Sequence, residues 1–83
     1  MRKKFNKSNI LVIEISRRYA ITYAEGIKLL RKRMLVTQTE LAKVLGVAFV
    51  SVNRWENGEH QPTMKAKRKL APLFKEYGIV AEE

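Results

Sequence analysis

The strongest constraint on the fold lies in residues 38–57, where a small residue, a turn glycine and two spaced core residues recur at fixed intervals. Ala42 is small where a second helix must cross closely. Gly46 follows four residues later and readily takes the left-handed conformation that ends a helix. Val47 plugs the turn. Val52 and Trp55 lie three apart and so share one helical face, and Leu41 and Leu45 meet them from the preceding segment. Helices this short are marginal alone in water, so the interlocking must hold the pair together. The expected unit is a helix-turn-helix, whose second helix can lie in the major groove of DNA.

Local signals extend this unit in both directions. Thr22-Tyr23-Ala24-Glu25 and Thr37-Gln38-Thr39-Glu40 both fit the T-x-x-E capping box, in which hydroxyl and carboxylate each satisfy a backbone N–H at a helix start. They predict helix 1 over Tyr23 to Arg33, with Ile27, Leu30 and Met34 facing inward, and helix 2 over Gln38 to Leu45. Helix 3 is expected over Ala48 to Asn57, stopped by Gly58, with Ala48, Val52 and Trp55 on its inner face. Ala48 is a poor N-cap. Thr63 can cap helix 4 from Met64 onward, with Leu70, Leu73 and Phe74 inward. Pro72 interrupts that pattern and predicts a kink or break. The expected class is all-α over residues 22–78, with a frayed acidic tail at 79–83.

Residues 1–21 read as a separate basic extension. Lys3, Lys4 and Lys7 can form a flexible arm that touches DNA, with plain disorder as the default expectation. Ile10 to Ile15 is a dense β-branched run with strand propensity but no second strand to pair with. Either it pairs with the same strand of a second subunit, or it is an extra helix on the bundle. Its longest apolar run is far too short for a membrane span, and no secretory cleavage pattern follows it. A cytoplasmic location is expected.

The formal net charge is +9, with +5 in residues 1–23, +3 in residues 24–58 and +1 in the remainder. Such a balance favours a polyanionic partner, and nucleic acid leads among these. The chain has no cysteine and one histidine, His60, so disulfides, thiolate metal sites and histidine clusters are excluded. No cofactor is implied. No nucleophile–base pair or phosphate loop is evident, and no enzyme is expected.

Several residues carry a family resemblance: Gln38, Glu40-Leu41-Ala42, Leu45-Gly46-Val47, Val52, Trp55-Glu56-Asn57-Gly58 and Pro62. Over residues 24–75 the chain resembles the Cro and phage-repressor type of helix-turn-helix domain, the XRE family. The resemblance implies a compact bundle of four or five helices and sequence-specific binding of double-stranded DNA, commonly as a homodimer on a two-fold site. It also implies a phosphate contact for Gln38 at the start of helix 2, and a structural pairing of Arg31 with Glu56 beneath the recognition helix. Ala48, Pro72 and the N-terminal extension depart from the family pattern.

On helix 3, Phe49 and Asn53, Val50 and Arg54, and Asn53 and Asn57 are each four apart and build the face opposite Val52 and Trp55. Asn can pair bidentately with adenine and Arg with guanine, while apolar side chains pack on thymine methyl groups. Phe49, Val50, Asn53 and Arg54 are therefore the expected base readers. A merely solvated face accounts for Asn53 and Arg54 but not for Phe49 and Val50. Thr37, Lys43, Ser51, Asn57, Lys65 and Lys67 are further phosphate candidates, though Thr37 also serves as an N-cap. The function expected is transcriptional regulation, by repression. The alternative is an antitoxin or protein-interaction module that uses Ile10–Ile15 to bind a toxin-like partner.

Overall fold

The computed structural model describes residues 21–82. The basic arm and the Ile10–Ile15 segment, with its strand-or-helix alternatives, lie outside the described residues. Among the described residues the protein is all-α, with α1 over Tyr23–Met34, α2 over Gln38–Leu45, α3 over Phe49–Glu56 and α4 over Met64–Glu76. None of these helices is long and apolar enough to cross a membrane.

Both capping boxes form. The Thr22 hydroxyl accepts the Glu25 N–H while Glu25 receives the Thr22 N–H, and Thr37 and Glu40 repeat the arrangement. Thr63 caps α4 by accepting the Ala66 N–H. α3 starts at Ala48 with no side-chain cap, so packing rather than local chemistry must hold it. The packing is supplied by Val52 and Trp55, which meet Leu41, Ala42 and Leu45 of α2 and Ile27 and Leu30 of α1 in one core. Each fully buried aliphatic side chain contributes about 2 kcal/mol. Ala48, expected on the inner face, is exposed, because it sits at the cap before the helix turns its side chains inward.

Helix ends are closed in two ways. Gly46 ends α2 with φ 70°, where any side chain would be strained. Lys69 reaches back from α4 and donates to the Leu45 carbonyl at 2.9 Å. α1 ends differently: Leu35 itself takes the left-handed conformation, φ 60°, and is 89% exposed. An L-residue in that region costs about 1 kcal/mol.

The break expected at Pro72 does not occur, and α4 runs unbroken through it. Pro72 and Arg68, whose carbonyl loses its partner, are both exposed, so water can satisfy that oxygen. Leu70 and Phe74 are buried on either side and hold the helix to the core. Fraying is not observed at residues 79–82 either. Ile79 is buried, and Ile21 and Ala81 form an isolated parallel bridge. A methyl group added at Gly26 would lie 3.0 Å from the Ala81 Cβ and 3.3 Å from Phe74, so a bare backbone at this position of α1 lets the tail lie close.

Candidate nucleic-acid interface

The turn at Gly46 sets α3 across α2 so that Val52, Trp55 and Glu56 are buried beneath it. The opposite side stays open. Phe49 is 49% exposed and Val50 46%, and Arg54 and Asn57 are exposed beside them. Asn53 and Ser51 are half-buried at the margin. Phe49, Val50, Asn53 and Arg54 therefore share one surface, presented by the first two turns of an eight-residue helix.

Behind this surface runs a chain of side-chain hydrogen bonds that ties α1, α2 and α3 together. Arg31 donates through Nε to Glu56 Oε2 at 2.6 Å and through Nη2 to Glu56 Oε1 at 2.9 Å, a fork-to-fork pair. Its third nitrogen, Nη1, donates to the Val36 carbonyl at 3.4 Å. Gln38 Nε2 donates to Glu56 Oε1 at 2.9 Å, Asn53 Nδ2 donates to Gln38 Oε1 at 3.2 Å, and Asn57 Nδ2 donates to Asn53 Oδ1 at 3.2 Å. Glu56 is only 3% exposed. Burial pushes its carboxyl pKa up. The hydrogen bonds from Arg31 and Gln38, with the Arg31 and Lys28 charges, outweigh that and hold it below the ordinary glutamate value. The Glu56 hydrogen bond raises the Arg31 pKa against the opposing effect of partial burial.

The remaining phosphate candidates divide by position. Thr37 is exposed, and its hydroxyl oxygen accepts the Glu40 N–H, which leaves its O–H to donate elsewhere. Gln38 is half-buried and both ends of its amide are engaged, leaving one N–H of Nε2 free. Ser51 and Lys65 line one cavity of about 180 Å³ with Gly46, Thr63 and Lys69, where α4 begins beside the helix-turn-helix. Lys43 is exposed on α2 but lines a different depression with Val44 and Pro72. Lys67 is not beside Lys65. Its Nζ lies 4.8 Å over the Tyr23 ring, a cation–π contact on another side of the bundle. Lys69 was absent from the sequence-based set, although it joins Lys65 at the cavity. Its spacing of four from Lys65 on α4 was the available signal. No group of acidic, histidine or cysteine side chains among the described residues could hold a metal ion.

A family model described as Helix-turn-helix matches residues 27–74, more than half of the chain. The chain belongs to the helix-turn-helix family. Family membership bears out the resemblance to Cro and phage-repressor domains carried by residues 38–62. This helix-turn-helix chain is also 44% identical over 45 residues to the HTH-type transcriptional regulator DicA of Escherichia coli (strain K12). The match covers 54% of this chain and 33% of that protein, so the chain spans about a third of the length of the curated relative it matches. No solved structure matches it.

Proposed function

We propose that the protein is a transcriptional regulator that places α3 in the major groove of specific double-stranded DNA sequences and acts as a repressor, as a homodimer on a two-fold site. The observation that carries this reading is the open face of α3. Two apolar side chains, each about half exposed, sit beside Asn53 and Arg54. A surface meeting only water has no use for Phe49 and Val50, whereas the major groove offers thymine methyls next to hydrogen-bonding edges. In this reading Phe49 and Val50 pack on thymine methyls, Asn53 pairs with adenine and Arg54 with guanine. Gln38, Lys43, Ser51, Asn57, Lys65 and the α2 N-terminus at Thr37 meet phosphates and fix register.

Two further facts support it. The net charge is +9, which suits a polyanion. The matched relative carries the name of a transcriptional regulator. The antitoxin alternative rests on Ile10–Ile15, outside the described residues, and the comparisons add nothing to it. In-vitro selection of bound duplexes tests the reading. The expected product is an inverted repeat whose half-sites lie about 10 base pairs, or a multiple, apart. Affinity is expected to fall steeply as salt rises. Equal affinity for random and selected duplexes would sink the reading.

A further inference from the structure

The hydrogen-bonded chain from Glu56 to Asn57 has a direction, and one end of it fixes that direction. Ionised Glu56 can only accept. The amide of Gln38 must therefore turn its nitrogen toward Glu56, which leaves Oε1 facing α3. Asn53 meets that oxygen and so must turn Nδ2 toward it. Its Oδ1 is then directed at Asn57, which donates to it. Amide by amide, the buried carboxylate dictates which way round the recognition helix holds its polar groups. A free asparagine amide can rotate by half a turn and exchange donor for acceptor. In this arrangement such a rotation would set oxygen against oxygen at Gln38, whose own amide Glu56 holds in place.

The count of bonding positions then defines what remains for a ligand. An asparagine amide has two N–H donors and an oxygen with two lone pairs. The chain uses one of each on Asn53. One donor and one acceptor are left, in a fixed order. Adenine presents a complementary acceptor and donor in the major groove at N7 and N6.

We infer that Gln38 is a specificity-determining positioning residue which, held by Glu56, locks the Asn53 amide in the orientation that reads adenine. The inference rests on the proposed DNA-binding role and adds to it. It is separate from the phosphate contact proposed for Gln38, which strengthens binding to every sequence alike and leaves the preference between bases unchanged.

The test uses the full chain and competition binding on selected duplexes carrying each of the four base pairs at every position. The position read by Asn53 is the one where Asn53→Ala flattens the preference. The native protein is expected to favour adenine there by at least about fivefold. Gln38→Met, close in length and without hydrogen-bonding groups, is expected to reduce that preference below about twofold while other positions keep theirs. In the Asn53→Ala background it should change nothing further at that position. Glu56→Gln gives a second variant, because its amide can turn either edge toward Gln38. It should flatten the same position. If Gln38→Met leaves the profile unchanged, or weakens every duplex equally, the positioning role is overturned although the regulator reading stands. If the native protein selects no sequence at all, the regulator reading fails first and this role goes with it.

Discussion

Along α3, Val52 and Trp55 are buried against α1 and α2, while Phe49 and Val50 remain about half exposed on the other side. Both pairs are apolar and both belong to the same short helix. They answer to different requirements. The inner pair holds the helix in place, since α3 has no N-cap bond and only eight residues. The outer pair lies outside the buried core and keeps about half its surface open. What separates the faces is a polar seam of Glu56, Gln38 and Asn53, which is anchored on the inner side and ends on the outer one. Apolar composition alone therefore does not distinguish core from candidate interface on this helix, whereas burial does.

Substitutions can break or sharpen this division. The largest effect is expected from Trp55→Ala on the inner face, a loss of about 3–5 kcal/mol from the cavity it leaves. Small domains hold only about 5–15 kcal/mol in total. A denaturant midpoint little changed from the native value would mean that the inner face is not what seats α3. Next comes Arg31→Ala, which leaves Glu56 buried without its charge partner. About 3 kcal/mol of stability should disappear, read as a fall in Tm.

The same pair makes stability depend on acidity. The folded-state pKa of Glu56 lies below its ordinary 4.5, so its contribution is complete above that value. It is lost as pH falls through the lower folded value. Glu56→Gln should remove that part of the acid sensitivity in unfolding curves taken across this range.

On the outer face, Phe49→Ala should leave Tm nearly unchanged and lower affinity for the selected duplex. Uracil in place of thymine at the contacted step removes one methyl. That should cost the native protein about 0.8 kcal/mol and the variant nothing. An equal loss in both proteins would detach Phe49 from the thymine methyl. The smallest effect is a gain. Ala48→Ser supplies the missing cap and should raise stability by about 0.5–1 kcal/mol without altering base preference. A shifted preference would show that the start of α3 reads bases as well as beginning the helix.

Much of the fold was legible because its signals are local. Thr22 with Glu25 and Thr37 with Glu40 mark two helix starts within four residues each, and both boxes form. Gly46 declares its own left-handed turn. Leu35 does the same work at the end of α1 with nothing in its residue type to say so. Pro72 gave a strong local warning that burial of Leu70 and Phe74 overrode. The acidic tail looked unstructured because what holds Ile79 and Ala81 comes from α1, far away in sequence. The candidate interface follows the same rule. The four-residue spacings on α3 collect its outer face without any tertiary information. The seam between Gln38 and Asn53 spans fifteen residues and a turn, and no periodicity connects them.

The bridge between Ile21 and Ala81 has a mechanical side. The Ile21 N–H meets the Val80 carbonyl at 3.4 Å, and the Glu82 N–H meets the Ile21 carbonyl at 3.0 Å. The two short segments run parallel. Tension applied to the chain before residue 21 and after residue 82 pulls them in opposite directions along their length. The load falls on this clip in shear, at the ends of α1 and α4, before it is transmitted to α3.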